Sequence, residues 1–232
     1  MISGYLFDLD GTLVDSERQS GEAMARALSD GLGIVVAQDD KDYVIGRSWV
    51  AIFERLQQRY PRLAWDRAEL IHQTSIKRDE VFAEHGVSVL PGARAFLQAT
   101  LDRPRALVTG SSRIEVMQVL PRIGPEAAFA HIFAAEDVPR SKPSPDGYQM
   151  AMTALGLASR QCVVLEDSVS GIAAGRAAGC LVIAVKAGNF GGWDQSAAHH
   201  VIESLEQLTP SLVEELAEVH ARDYGSPMGS RP

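Results

Sequence analysis

Cysteine is scarce: the 232 residues hold two, Cys162 and Cys180, both inside apolar, strand-like runs. Neither stands in a CxxC pair or a histidine-rich cluster, which argues against a zinc module or a redox centre. They read as two small buried hydrophobes. Excess positive charge is missing as well. With 22 basic and 30 acidic residues the formal net charge is −8, so phosphate backbones meet no electrostatic footprint and no nucleic-acid partner is expected. No stretch approaches the ~20 apolar residues of a membrane span, and no membrane partner is expected. The opening MISGYLFDLDG has no basic region and carries acids where a signal peptide would be greasy. These absences together predict a cytoplasmic protein with reduced thiols.

What the chain does have is an ordinary globular composition, 46% apolar and 22% charged, and enough length to bury a core without disulfide or metal staples. Roughly 100–200 residues per domain allow one large domain, or one domain plus a smaller module. Short apolar runs, Gly4–Phe7, Ala106–Val108, Cys162–Leu165 and Leu181–Val185, read as strands buried on both faces. Helical patterns lie between them. Pro145 opens one and Gly156 closes it. Ser168 can cap another, running through IAAGRAA to Gly179, and Pro210 opens the last. Strands separated by helices predict an α/β fold, a doubly wound, Rossmann-like parallel sheet.

One interval breaks this rhythm. From about Ser16 to Val87 no buried strand is evident, and EAMARALSDGLG, SWVAIFERLQQRY and AELIHQTSIKRDEVFAEHG carry helical periodicity with charged faces. The expected organisation is a catalytic α/β core of residues 1–15 and 88–222 with an inserted all-helical cap of residues 16–87. The chain returns to the core at the turn Leu90-Pro91-Gly92, followed by a helix over Ala93–Leu101. Residues 223–232, ending in SPMGSRP, are expected to be a disordered tail.

In open parallel sheets, ligands bind beyond the carboxyl ends of the strands. Asp8-Leu9-Asp10-Gly11-Thr12 follows the first run, Thr109-Gly110-Ser111-Ser112 the second, and Glu166-Asp167-Ser168 the third, while Lys142 sits in a loop just before a helix. Asp8, Asp10, Glu166 and Asp167 repel one another unless a cation sits among them, and hard oxygen donors suit Mg²⁺. Thr109, the Gly110 amide and Lys142 are donors that suit an anion. A site with a dication and anion donors is a phosphate-transfer site. Gly188, Gly191 and Gly192 read as turn formers. The six histidines show no metal-ligand spacing, and His199-His200 reads as a loop-to-strand pair.

The stretches FDLDGTLVD, VTGSS, SKPSPDGY and LEDSVSGIAAGRAAG, in this order, resemble the haloacid dehalogenase-like superfamily. The likeness is to its phosphatase branch with a small helical cap, which includes β-phosphoglucomutase-like and sugar-phosphate phosphatases. It extends to about Leu208. It implies that Asp8 is the nucleophile that forms an aspartyl-phosphate, and that Asp10 is the general acid and then the base. Thr109 and Lys142 would hold the phosphoryl oxygens, with Gly110 and Ser111 nearby. Mg²⁺ would be held by Asp8, Asp167, the Asp10 carbonyl and Glu166, the last either directly or through water, while Thr12 would orient the loop. Ser111 is either a phosphate contact or a cap. Arg47, beside Gly46 in a bend between cap helices, either grips the substrate or pairs with a cap acid such as Glu54.

The resemblance implies a Mg²⁺-dependent phosphatase for a small phosphorylated metabolite, a sugar, polyol or sugar-acid phosphate, working as a monomer or homodimer. A phosphosugar mutase of the same superfamily is the alternative. The related β-phosphoglucomutases carry a cap histidine where this chain has Ser20, which favours hydrolysis. A less favoured alternative is a non-catalytic phospho-acceptor or binding module: a phospho-acceptor has no use for a helical cap or for Asp10 as an acid, and the intact acid pair speaks against a catalytically dead binding module.

Overall fold

The computed structural model describes residues 1–47 and 49–225 of the chain. They form two units, one made of Met1–Val14 and the chain from Val89 on, the other of Asp15–Ser88. Strands are β1 (Gly4–Phe7), β2 (Arg105–Val108), β3 (His131–Phe133), β4 (Cys162–Glu166), β5 (Leu181–Val185) and β6 (His200–Ile202). The α-helices among the described residues are α1 (Glu17–Leu32), α2 (Gln38–Asp42), α3 (Trp49–Arg59), α4 (Arg67–His85), α5 (Ala93–Ala99), α6 (Arg113–Ile123), α7 (Asp146–Leu155), α8 (Val169–Ala177) and α9 (Pro210–Gly225).

The strands make one parallel sheet in the order β3-β2-β1-β4-β5-β6. This is the doubly wound order, and the chain reverses direction across the sheet at β1. Side chains alternate along β1. Leu6 enters a core with Val164, Val182, Tyr148, Ala151 and Ile172, while Tyr5 and Phe7 turn to the other face and meet the ring of Phe96. Phe7 stands level with Leu107 and Leu165, so the residues that follow leave the sheet side by side.

β1, β2, β4 and β5 are buried along their whole length, as their unbroken apolar runs require. β3 and β6 are three residues each and partly exposed. Neither is among the four runs read from the sequence. An edge strand is covered only in part, so it needs no apolar run to stay folded. Both begin with a histidine, His131 and His200.

Helix ends follow local chemistry. Gly156 closes α7 with φ 67°, and the Ser168 hydroxyl accepts the Gly171 N–H at 3.0 Å to start α8. α5 ends at Ala99 and α8 at Ala177, each two residues short of the expected boundary. α9 runs to Gly225, beyond the expected boundary at 222. The segment SPMGSRP lies outside the described residues.

The second unit is helical. α1, α3 and α4 coincide with the three periodic segments, and α2, a single short turn of helix, was not read from the sequence. Met24, Leu28, Ile34, Val36, Val44, Ile52, Leu56 and Leu70 form its core. Among the described residues no helix is long and apolar enough to cross a membrane.

Candidate active site

Asp8 is the first residue past β1. Its N–H still donates to Leu165 O at 3.0 Å, so the sheet itself sets where its carboxyl points, and the residue is buried. The chain then turns sharply: Leu13 N donates to Leu9 O at 2.9 Å and Gly11 N to Val14 O at 2.8 Å. Gly11 has φ 81°, and a Cβ there would fall 2.2 Å from Asp167 Oδ2. Only glycine allows the bend and the close approach together. Thr12, wholly buried, donates its hydroxyl to Asp167 Oδ1 at 3.2 Å.

Lys142 comes from the loop before α7 and reaches the centre of this cluster. Its Nζ donates to Asp8 Oδ1 at 2.5 Å, to Glu166 Oε1 at 2.5 Å and to Val108 O at 3.0 Å. Burial works against the ammonium, but the Asp8 and Glu166 carboxylates outweigh it and hold Lys142 charged well above the ordinary lysine range. For Asp8 the balance is opposite. Burial pushes its carboxyl well up and Glu166 and Asp10 add to the push, while Lys142 opposes it. One ammonium does not offset burial together with two neighbouring carboxylates.

Glu166 is fully buried at the end of β4. Oε1 accepts from Lys142 and, at 3.0 Å, from the Tyr148 hydroxyl. Oε2 accepts from Asp167 N, Ser168 N and Ser168 Oγ at 2.9–3.0 Å. A carboxylate offers about four lone-pair directions, so five donors use its capacity. Gly171 of α8 makes room for it, since a Cβ there would lie 1.6 Å from Glu166 Oε1.

Thr109 is buried just past β2, and its Oγ1 accepts Ser111 N at 3.0 Å. A Cβ on Gly110 would meet open space. Ser111 donates its hydroxyl to Asp10 Oδ2 at 2.5 Å, so among the described contacts its side chain serves Asp10. The cap of α6 is the next residue, Ser112, in a reciprocal pair with Glu115.

The first unit therefore brings together Asp8, Asp10, Thr109, Gly110, Ser111, Lys142, Glu166 and Asp167. Arg47 belongs to the helical unit and is exposed. Its guanidinium lies over the Tyr43 ring at 5.1 Å, and among the described residues it makes no ion pair with Glu54. Sequence reasoning missed two residues. Tyr148 lies inside the quoted SKPSPDGY stretch, six positions after Lys142, on the buried face of α7. Gln195 lies outside every motif, and no local signal marks it.

Oxygens of Asp8, Glu166 and Asp167 lie within 4.8 Å of one another. Asp8 and Asp167 bring hard oxygens, and Glu166, whose lone pairs five donors already take, adds negative charge behind them, so the residues fit a hard dication such as Mg²⁺ with Glu166 outside the direct ligands.

Acids and a lysine thus gather at the exits of a doubly wound sheet. Residues 2–179 match the haloacid dehalogenase-like hydrolase family, and the chain belongs to it and is an enzyme. Hexitol phosphatase A of Escherichia coli (strain K12) is 34% identical over 223 residues, covering 89% of this chain and 93% of that protein. Phosphoglycolate phosphatase of Yersinia pestis is 31% identical, covering 91% and 93%. The fold is shared with CbbY from Rhodobacter sphaeroides, solved in complex with phosphate, with TM-score 0.78 at 22% identity over 90% of this chain and 96% of that one.

Proposed function

We propose that the chain is a Mg²⁺-dependent phosphatase that hydrolyses the monoester of a small phosphorylated metabolite, a sugar, polyol or sugar-acid phosphate, through an aspartyl-phosphate on Asp8. The observation that carries this reading is Lys142 Nζ, buried between Asp8 and Glu166 at 2.5 Å from each. A fixed ammonium beside a strand-end carboxylate is arranged to take the charge of a phosphoryl group arriving at that carboxylate. The named relatives, both phosphatases of small molecules, support the substrate class.

Each residue then has a part. An Asp8 oxygen attacks phosphorus, and the phosphoester bond to the leaving oxygen breaks. Asp10, aimed by Ser111, gives that oxygen its proton, then takes one from the water that cleaves the acyl-phosphate. Lys142, Thr109 and the Gly110 amide hold the phosphoryl oxygens. Asp8, Asp167 and the Asp10 carbonyl would hold Mg²⁺, which when bound neutralises carboxylate and phosphoryl charge. Glu166 acts through its neighbours, fixing Lys142 on one oxygen and the Asp167 peptide on the other. The buried, unpaired Cys162 and Cys180 support a reducing, cytoplasmic setting.

Phosphate release from a panel of hexitol, sugar and sugar-acid phosphates, with Mg²⁺ and with EDTA, tests the reading. Turnover that needs Mg²⁺ and falls at least about 10³-fold in a folded Asp8→Asn variant is the expected result. Undiminished turnover in that variant overturns it.

A further inference from the structure

Gln195 sits in the stretch between β5 and β6, and only 5% of it is exposed. Its Nε2 donates to Asp167 O at 2.6 Å and to Val185 O at 3.0 Å. Both acceptors are carbonyls, so only the NH₂ end of the amide can face them, one N–H to each. The side chain thus ties the exit of β4 to the end of β5.

Three described hydrogen bonds hold Asp167. Its N–H goes to Glu166 Oε2 at 3.0 Å, its Oδ1 accepts the Thr12 hydroxyl at 3.2 Å, and its carbonyl oxygen is taken by Gln195. Thr12 and Glu166 lie in stretches with recognisable chemistry. Gln195 lies 28 positions further along the chain, in a loop with none. An Asp167 peptide free to turn about its own bonds would carry the carboxylate with it. The N–H and C=O belong to the peptide groups on either side of Asp167, so anchoring both fixes the direction in which its side chain leaves the backbone, and the Thr12 hydroxyl then holds the carboxylate.

We infer that Gln195 is a positioning residue for Asp167: its amide locks the Asp167 peptide so that the carboxylate meets a divalent cation in fixed geometry. The inference rests on the Mg²⁺-dependent reading above. Mg²⁺ demands near-ideal octahedral geometry, and partners standing behind metal ligands contribute about 10–100-fold in affinity. Gln195 touches neither substrate nor reacting atoms. Its effect is on the cation.

Two substitutions test this in the full chain. Gln195→Met keeps length and volume without donors, and Gln195→Asn keeps the amide one methylene short of its acceptors. Mn²⁺ binding followed by electron paramagnetic resonance reads the site directly, alongside the Mg²⁺ activation constant and the unfolding temperature in EDTA. The expected result is Mn²⁺ binding and Mg²⁺ activation both weakened about tenfold, with turnover restored by saturating Mg²⁺, while the unfolding temperature in EDTA drops by a few degrees because two carbonyls lose their donor. Mn²⁺ binding equal to wild type overturns the inference, as does a loss of turnover that Mg²⁺ cannot restore, which marks a purely structural role. Should Gln195→Met fail to fold, Gln195→Asn carries the same comparison. Wild-type protein that binds no Mn²⁺ would sink the metal-dependent reading itself. Wild-type binding with unchanged variants sinks the role of Gln195 alone.

Discussion

The sheet unit and the helical unit both bury a carboxylate, and they satisfy it differently. Glu166 is sealed among Lys142, Tyr148 and the peptide it terminates, every partner buried or half-buried. Asp40 of the helical unit is equally buried, but its partners lead to solvent. Arg55 Nε donates at 2.6 Å, the Tyr60 hydroxyl donates at 2.5 Å and Arg59 forms an ion pair at 3.0 Å, and the two arginines keep 30% and 40% of their side chains exposed. The first arrangement holds charge where water cannot weaken it, as a reaction centre needs. The second is a structural tie between α2 and α3. A buried acid is therefore no mark of chemistry in itself. The chemistry lies where its partners are sealed as well.

The largest effect that would sharpen the contrast comes from Asp10. Loss of a general acid costs about 10²–10⁴-fold, so Asp10→Asn should cut turnover of an alkyl phosphate by that much, and of p-nitrophenyl phosphate far less. The latter's leaving group scarcely needs a proton. Equal losses on the two esters would make Asp10 a structural residue like Asp40.

Asp40→Asn should do the reverse. It weakens charge-assisted bonds to two arginines and a tyrosine, at about 2–3 kcal/mol, so urea unfolding should shift while p-nitrophenyl phosphate turnover per folded molecule holds. A selective loss of turnover at unchanged stability would break the comparison.

A pH effect of intermediate size belongs to the sheet edge. His199 Nδ1 accepts Val182 N at 2.9 Å, a bond that a proton on Nδ1 destroys. Burial, then His220 and Arg176, lowers its pKa from 6.5 to about 4. Because the folded value lies below the unfolded one, the unfolded chain takes the proton first. Stability is full above about pH 6.5 and drains away as pH falls towards 4. Urea midpoints across that window should fall more steeply in wild type than in His199→Asn, by up to about one proton's worth of slope. Parallel curves would show that His199 titrates normally.

Arg47→Ala should give the smallest change. As an exposed residue over Tyr43 it carries little folding energy, so unfolding should be unaltered. On the reading that it grips substrate, KM for a sugar phosphate should rise a few-fold more than KM for p-nitrophenyl phosphate. Identical kinetics across a substrate panel would leave it a solvated charge.

Much of the frame was legible from local chemistry. Gly4–Phe7 and Leu181–Val185 are strands because unbroken apolar runs of that length have to be covered on both faces. Asp8, Asp10, Thr109, Lys142, Glu166 and Asp167 were legible because strand exits in a parallel sheet converge, and because DLDGT and SKPSP carry a recognisable order. β3 and α2 were not legible. The one is a partly exposed edge and the other a single short turn, and neither needs a periodic pattern.

The sequence by itself determined which residues carry charge and oxygen donors, and that a sheet would bring them to one edge. Tertiary structure alone decided how those donors are shared. Ser111 serves Asp10 across 101 positions, Lys142 divides itself between Asp8 and Glu166 across 134 and 24, and Gln195 anchors Asp167 across 28. The physical reason is that apolar periodicity is a local property of the chain. A hydrogen bond between distant residues exists only after the sheet has closed the distance, and its two ends leave no shared pattern in the sequence.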